Sequence, residues 1–338
     1  MLGNHNSQNR ARKGWTILVV VVVVSLLLSG CAQKPKVYRV GILAGREVFY
    51  TTVDGFKTKM TELGYVEGKN IVYDLQQTKS DPPAEKLILK KFVADKVDVI
   101  LVFPSEQAVL AKEATQGTNV PVVFCQTNIE GTDLIKSVRE PGGNITGVRY
   151  PGPDLAVKRF EILHQLVPQA KRIWVPYLKT SPIVPAQLEI LRPAAVTAGV
   201  TLVETPVANA DELLADLEAR GKASDVGIDA ILLISEPLGR TPAVYPKMND
   251  FAVKHKLTIG GVVAPMSGYA TPFGVATDNI AVGKLAAQQV DKVLKGIPVG
   301  TIPVLSAESY VQLNYKVAQE QGLTVPEGLL RQANQVIR

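Results

Sequence analysis

Cysteine and histidine are both scarce in this chain of 338 residues, and their scarcity excludes several kinds of site. Two cysteines, Cys31 and Cys125, are too few for a disulfide scaffold or for a zinc site built on several thiolates. Of the three histidines, His164 and His255 fall on amphipathic helical stretches, where surface exposure or packing is the ordinary role. We therefore predict no metal site.

The motifs of several common enzyme classes are also missing. The sequence contains neither the glycine-rich loop G-x-G-x-x-G nor the loop G-x-x-x-x-G-K-[ST], both of which cradle phosphates. It also lacks the G-x-S-x-G nucleophile elbow and the H-E-x-x-H zinc motif. These absences predict no catalytic residue and no cofactor. A hydrolase that pairs Ser105 with a histidine stays open as an alternative.

The first thirty residues form a separate unit. Residues 1–14 carry three basic side chains and no acid, and residues 15–28 are apolar except for two side chains. This order is typical of a secretory signal peptide, and the apolar core is too short to cross about 30 Å of hydrocarbon without its flanks. The following Leu-Ser-Gly-Cys at 28–31 resembles the bacterial lipobox, which implies cleavage before Cys31 and a lipid on its thiol. An uncleaved anchor helix is the alternative.

The net charge of +6 is divided between this unit and the rest of the chain. Without residues 1–30, 34 Lys and Arg remain against 31 Asp and Glu, a net charge of +3 with the two signs interleaved. Nucleic acid is not an expected partner, because it requires a clustered basic surface. The chain is expected outside the cytoplasm, lipid-anchored on the periplasmic side or at the cell surface, where cytosolic ATP and NAD(P)H are not available.

From residue 37 onward, short apolar runs alternate with amphipathic helical stretches, a pattern typical of parallel sheets buried on both faces. Short similar segments recur after 131 to 135 residues, so that the one beginning at Arg39 corresponds to the one beginning at Arg172, and the one at Asp98 to the one at Asp229. We infer an α/β fold with two doubly wound parallel-sheet lobes. Strands are predicted at 37–44, 70–76, 98–103 and 120–125 in the first lobe, and at 171–176, 200–204, 229–234 and 257–262 in the second.

The chain is predicted to pass from one lobe to the other more than once. The first lobe comprises residues 37–149 plus about 269–299, where a strand at 274–277 and a helix at 279–294 are expected. The second lobe comprises 150–268 plus about 300–338, and residues 31–36 form a tether for the lipid. Several crossings between lobes would form a hinge that permits closure.

Candidate ligand-binding residues lie in the loops that follow the predicted strands. Ligands of open parallel sheets bind there, beside helix N-termini whose free N–H groups favour anions. Capping of a helix is the ordinary alternative for each Ser and Thr, and stacking or packing for each aromatic ring. The candidates are Arg46, Tyr50, Phe103, Ser105, Gln126, Thr127, Asn128, Lys179, Thr180, Ser181, Ser235 and Glu236.

Three segments carry a resemblance to a known family. They read Gly-Phe-Lys at 55–57, Leu-Gly-Tyr-Val-Glu-Gly-Lys-Asn at 63–70, and Pro-Gly-Gly-Asn-Ile-Thr-Gly-Val at 141–148. From about residue 37 to its end, the chain resembles the ABC-transporter substrate-binding proteins of tryptophan- and tyrosine-type uptake systems. The resemblance implies a periplasmic-binding-protein type I fold, three hinge crossings, no catalytic residue, and delivery of ligand to a membrane permease driven by an ATPase. The site loops depart from the family pattern, and only Ser105 carries over.

The sequence therefore predicts a lipid-anchored solute-binding component of an ABC importer, a monomer that closes two lobes around a small organic ligand such as an amino acid or related metabolite. Differential affinity of the open and closed forms would signal loading to the permease. A ligand sensor for a membrane receptor is the second candidate, and an extracytoplasmic enzyme on the same scaffold is the third.

Overall fold

The structure is a computed structural model that describes residues 36–261 and 270–338. The predicted signal peptide and the lipobox cysteine, Cys31, lie outside the described residues. None of the helices within those two ranges has the length and apolar character that crossing a bilayer requires.

The first lobe is a parallel sheet with helices on both faces. Its strands β1 to β5 and helices α1 to α3 follow in the order β1 Tyr38–Ala44, α1 Thr52–Glu62, β2 Ile71–Gln77, α2 Pro82–Ala94, β3 Val99–Phe103, α3 Ser105–Ala114, β4 Val122–Thr127 and β5 Ile145–Arg149. The central strand β3 shows why the apolar runs are continuous. Val99, Leu101 and Phe103 pack in one core, whereas Ile100 and Val102 pack in the core on the opposite face.

The second lobe repeats this plan. Its elements are α4 Gly152–Leu166, β6 Arg172–Leu178, α5 Val184–Thr197, β7 Thr201–Val207, α6 Ala210–Lys222, β8 Ala230–Leu232, α7 Tyr245–Lys254, β9 Thr258–Gly260 and β10 Phe273–Ala276. The chain then forms α8 Asn279–Leu294, β11 Leu305–Ser306, β12 Tyr310–Asn314, α9 Tyr315–Glu320, α10 Glu327–Gln332 and β13 Gln335–Ile337. One core again lies on each side of the sheet.

The strand order is the same in both lobes. The first sheet runs β2-β1-β3-β4-β5-β11. The second runs β7-β6-β8-β9 in the same direction, and a bridge between Gly261 and Gly274 extends it to β10, the counterpart of β5. A shared contact explains part of the sequence repeat. The Asp98 carboxylate accepts the N–H of Arg39 at 2.8 Å, and the Asp229 carboxylate accepts the N–H of Arg172 at 2.8 Å. The predicted repetition of one doubly wound topology is confirmed.

Within residues 36–261 and 270–338, the chain crosses between the lobes three times, near 149–152, 276–279 and 306–310. The structure differs here from the boundaries expected at 269 and 300. Strand β10 belongs to the second lobe, because it pairs with β12 there, and β11 belongs to the first, because it pairs with β5. The β10–β12 pair is also antiparallel, unlike the parallel sheet predicted. An apolar run shows that a strand is buried but does not show which strand it pairs with.

Helix α8 returns the chain to the first lobe and packs closely on α1. Two glycines permit this approach, since a Cβ on Gly283 would lie 2.1 Å from the Thr52 carbonyl oxygen. A Cβ on Gly55 would lie 2.1 Å from the Ile280 carbonyl oxygen. The two backbones therefore touch with no side chain between them, which fixes α8 and the crossing that precedes it.

Candidate functional site

A cleft of about 700 Å³ lies between the lobes, at the carboxyl ends of the strands of both sheets. The loops after β1, β3 and β4 form one wall, and the loops after β6 and β8 form the other. Residues of all three crossings, among them Tyr150, Thr277 and Tyr310, line it between the walls. Strand order reverses between β1 and β3 and between β6 and β8, so the cleft lies where doubly wound sheets place ligands.

Most of the candidate residues come together in this cleft. Eight of the twelve line it, four from each lobe: Arg46, Ser105, Gln126 and Asn128 from the first, and Thr180, Ser181, Ser235 and Glu236 from the second. Seven of them follow the carboxyl end of a strand within a few residues, and Gln126 lies next to the end of β4, which is the reason that sequence reasoning could find them.

Four candidates do not line the cleft. Phe103 is fully buried in the first lobe's core, because it is the last residue of β3 and shares a face with Leu101. Thr127 is also fully buried and donates its hydroxyl to the Cys125 carbonyl at 2.8 Å. Tyr50 packs on the first lobe's core and donates its hydroxyl to the Thr78 carbonyl at 2.5 Å. Lys179 is exposed outside the cleft.

The first-lobe wall is held by contacts between its own loops. The Ser105 hydroxyl accepts the N–H of Asn128 at 2.9 Å, which ties the loop after β3 to the loop after β4. The Arg46 guanidinium donates to the Glu106 carboxylate at 2.6 Å, which ties the loop after β1 to the start of α3. Arg46 is thus already paired with an anion of this chain.

Gln126 connects this wall to the second crossing. It adopts a left-handed conformation with φ 50°, where the pairing of β4 with β5 shifts register. Its side-chain oxygen accepts the Thr277 hydroxyl at 2.8 Å, and its amide nitrogen donates to Asn279 at 2.8 Å. Asn279 in turn donates to the Val48 carbonyl at 2.8 Å. The cleft wall and the hinge therefore share one chain of hydrogen bonds.

A buried guanidinium lies behind the second-lobe wall. Arg159 of α4 is fully buried, and all of its partners are neutral: it donates to the Val275 carbonyl at 2.7 and 2.9 Å, to the Ser235 hydroxyl at 2.6 Å and to the Tyr150 hydroxyl at 2.8 Å. Burial would raise the pKa of Tyr150, but the positive charges of Arg159 and Arg240 and the hydrogen bonds outweigh it and lower that pKa.

Sequence reasoning missed Arg159, although a signal was present. Its neighbours at helical spacing, Leu155, Ala156, Leu163 and Leu166, are all buried, so the arginine lies on the apolar stripe of α4. A charged residue on such a stripe requires buried partners. Tyr150 and Ser235 are those partners, and both line the cleft.

Glu236 and Arg240 complete the second-lobe wall. Both carboxylate oxygens of Glu236 accept backbone N–H groups, from Gly239 at 2.9 Å and from Leu178 at 3.3 Å. Arg240 donates its Nε to the Glu236 carbonyl at 3.3 Å, and the charge of the Glu236 carboxylate also acts on its guanidinium. Burial lowers the pKa of Arg240, and the charges of Arg159 and Arg46 act in the same direction, whereas Tyr150 and the Glu236 carboxylate oppose this shift without reversing it.

The histidines lie elsewhere. His164 stacks on Phe160 with ring centroids 6.0 Å apart, and His255 lies 4.6 Å from Phe251 by the same measure. Neither lines the cleft, so the pairing of Ser105 with a histidine is not formed within residues 36–261 and 270–338. Across the same residues, no group of three or more His, Cys, Asp or Glu side chains could hold a metal ion.

Comparison with known proteins connects this architecture to a family. The family model described as ABC transporter substrate binding protein matches residues 40–337. A tyrosine-binding protein of Clostridioides difficile (strain R20291) is 26% identical over 325 residues, which cover 88% of this chain and 89% of that protein.

Solved structures give the same fold. The ABC domain from Streptococcus pneumonia in complex with L-Trp superposes with a TM-score of 0.76 at 24% identity, covering 89% of this chain and 100% of that one. The ligand-free, open form of a substrate-binding protein with adhesive properties from Clostridium difficile gives a TM-score of 0.70 at 22% identity, covering 89% and 99%. The two-lobe periplasmic-binding-protein type I fold expected from the sequence is thereby confirmed.

Proposed function

The chain belongs to the ABC transporter substrate-binding proteins, and on that premise we propose that it captures a small organic solute in the cleft between its lobes and presents the closed form to a membrane permease. The observation that carries the proposal is the cleft itself, which lies at the switch points of both sheets and borders all three crossings. Closure about those crossings would bury a solute between the two walls.

The surface of the cleft supports a solute with a substantial apolar part. Val48, Val109 and Ile280 line it with exposed fractions of 59%, 42% and 38%, although large apolar side chains are usually covered. A ligand that covers them gains the free energy of removing that surface from water. Aromatic amino acids are the first compounds to test, because similar proteins are described with tyrosine and with L-Trp.

We also propose that Cys31 is lipidated, which would hold the protein on the outer side of a bacterial membrane, and that it performs no catalytic step of its own. The lipid would keep the cleft near its permease without restricting closure. Growth with a fatty-acid analogue that can be labelled chemically tests the anchor: the wild type is expected to carry the label, and the Cys31→Ser variant is not. A wild type without the label, or a variant that carries as much label as the wild type, would contradict lipid anchoring.

Differential scanning fluorimetry tests the binding function on the purified full-length protein in detergent. L-tyrosine, L-tryptophan and a library of small metabolites are added singly, and a ligand that binds only the folded form raises the melting temperature. At a concentration of about 100 times Kd, the free energy of unfolding rises by about 2.7 kcal/mol. That gain corresponds to a shift of roughly 4 °C for a protein of this size.

Small-angle X-ray scattering with the same ligand tests closure. The radius of gyration is expected to decrease when the lobes approach each other. A library in which no compound shifts the melting temperature would refute solute binding, and a bound ligand without a change in dimension would refute closure as the signal to the permease.

A further inference from the structure

The second crossing is anchored to both lobes by two adjacent residues, Ala276 on the side of the second lobe and Thr277 on the side of the first. From this arrangement we propose that Gln126, which holds Thr277, is a positioning residue of the hinge, and that the lobes turn about the backbone dihedral angles that join Ala276 to Thr277. The inference rests on the proposed function, because it names a residue that controls the closure by which a solute would be captured.

The anchor on the first lobe consists of side-chain contacts. The Thr277 hydroxyl donates to the side-chain oxygen of Gln126 at 2.8 Å, and Gln126 is only 2% exposed. The amide nitrogen of Gln126 donates to Asn279 at 2.8 Å. Asn279 donates in turn to the Val48 carbonyl at 2.8 Å and to the Thr51 hydroxyl at 3.1 Å. The start of the crossing is therefore held against the end of β4 and the loop after β1.

The anchor on the second lobe combines a strand pair with a buried guanidinium. Ala276, the last residue of β10, pairs with Tyr310 in β12. One residue earlier, the Val275 carbonyl accepts two N–H groups of Arg159, at 2.7 and 2.9 Å, and the Val275 N–H donates to the Gly261 carbonyl at 2.8 Å. The chain up to the end of β10 therefore moves with the second lobe, and the link to the next residue is the point of rotation.

The other two crossings are anchored to the first lobe through the backbone instead. At the first crossing, the Tyr150 N–H donates to the Thr127 carbonyl at 2.8 Å, and at the third, the Ala307 N–H donates to the Arg149 carbonyl at 3.1 Å. Within the described chain, residues 277–278 make no such backbone contact with a strand or loop of the first lobe. Substitution of one side chain can consequently release the second crossing, whereas the other two would stay anchored.

The backbone of Gln126 shows that its position is specified by its contacts. It adopts a left-handed conformation with φ 50°, and the pairing of β4 with β5 shifts register at the same place. Left-handed residues other than glycine cost free energy and persist where the surrounding structure determines them. The hydrogen bonds to Thr277 and Asn279 are such determinants.

Loss of the Gln126 contacts would lengthen the flexible link of the hinge. Helix α8 would stay in place, because Gly283 packs at backbone contact against α1. Thr277 and Asp278 would gain rotational freedom between the end of β10 and the start of α8. A hinge works through a few residues that absorb the change in backbone dihedral angles, so a longer link permits more relative orientations of the lobes.

Double electron–electron resonance measures the distance between the lobes in the ligand-free, full-length protein in detergent. Spin labels at Glu47→Cys and Lys179→Cys report from the loops after β1 and β6, since both side chains are exposed. Cys31→Ser is included so that no label attaches there, and Cys125 is fully buried. Addition of Gln126→Met is expected to broaden the distribution of distances between the two labels.

The chain offers a matched control for the loss of a buried amide. Gln289 is fully buried, and its amide nitrogen donates to the Pro303 carbonyl at 2.7 Å and to the Gly147 carbonyl at 3.3 Å, both in the first lobe. In urea, Gln289→Met should lower the free energy of unfolding about as much as Gln126→Met, but it should leave the distance distribution unchanged. Thr277→Val removes the hydroxyl donor with little change of shape and should also broaden the distribution.

Two outcomes would overturn the inference. A distribution that stays unchanged in both Gln126→Met and Thr277→Val would show that this contact does not hold the second crossing, and if Gln126→Met does not fold, Thr277→Val decides alone. Equal broadening in Gln289→Met would show that a loosened first lobe, and not the hinge, is responsible. If only the hinge variants broaden the distribution while no solute of the library binds, the positioning role of Gln126 stands and the proposed function fails.

Discussion

Replacement of Gly283 by alanine gives a sharp test of how the first lobe is assembled. The new Cβ would lie 2.1 Å from the Thr52 carbonyl oxygen and 2.6 Å from the Phe56 backbone nitrogen. Both atoms belong to the backbone of α1, so they cannot rotate away as a side chain could. The two helices would have to separate by roughly 1 Å to restore an ordinary contact.

The cost follows from this displacement. Overpacking in a well-packed core costs about 1–3 kcal/mol, and a backbone clash falls at the upper end of that range. Alanine is the better helix former and returns up to about 1 kcal/mol. We expect Gly283→Ala to reduce the free energy of unfolding by about 2 kcal/mol, and Gly55→Ala, whose Cβ would meet the Ile280 carbonyl at 2.1 Å, to behave alike.

The chain supplies its own control. Gly328 lies in α10, and no atom lies within 4 Å of the position that its Cβ would occupy. Gly328→Ala should therefore stabilise the protein, by about 0.5 kcal/mol, through helix propensity alone. Urea unfolding followed by circular dichroism measures each variant. If Gly283→Ala is as stable as Gly328→Ala, then α1 and α8 are not packed at backbone contact and the reasoning fails.

Two further predictions concern buried charge. Arg159→Met should lower the free energy of unfolding by about 3 kcal/mol, because the Val275 carbonyl and the Tyr150 hydroxyl lose their donor. The exposed Arg192→Met is the control in the same urea assay. An equal loss of stability in both variants would contradict a special role for the buried guanidinium. Asp229→Asn should make the free energy of unfolding fall less steeply as the pH is lowered. Burial would raise the pKa of Asp229, but Arg172 and two backbone N–H groups outweigh it and lower that pKa. The carboxylate therefore stabilises the fold above its unfolded pKa of about 3.9, and this stability is lost as pH falls through the lower folded pKa. Between pH 5 and 3 the wild type should lose more stability than Asp229→Asn, and Glu161→Gln, at an exposed position of α4, should resemble wild type; parallel profiles for all three would refute this.

The amino-acid sequence was sufficient to predict most of the elements. The helix expected at 279–294 spans Asn279–Leu294, and the strand expected at 98–103 spans Val99–Phe103. The helix is buried along one stripe and the strand on both faces, so the pattern of apolar residues in each segment is clear. The last forty residues have short elements with mixed polarity, and strands β12 and β13 were not predicted because their burial depends on partners distant in sequence.

The candidate site was predictable to the extent that topology determined it. Ser105 and Ser235 follow strands, and the carboxyl ends of parallel strands meet at one edge of a sheet. The direction of each side chain was not predictable in this way. Phe103 and Thr127 also lie at the ends of strands. The register of β3 and the register shift in β4 direct their side chains into the interior of the first lobe and away from the cleft.

The sequence by itself determined the alternation of buried strands and amphipathic helices, the repeat of about 131 to 135 residues, and the loops from which a site could be built. Tertiary structure decided which strands pair across the lobes and which charges find partners. Arg46 pairs with Glu106 across 60 positions of sequence, and the buried Arg159 donates to the Ser235 hydroxyl across 76. Pairing depends on distances between folded loops, and no local pattern in the sequence encodes such distances.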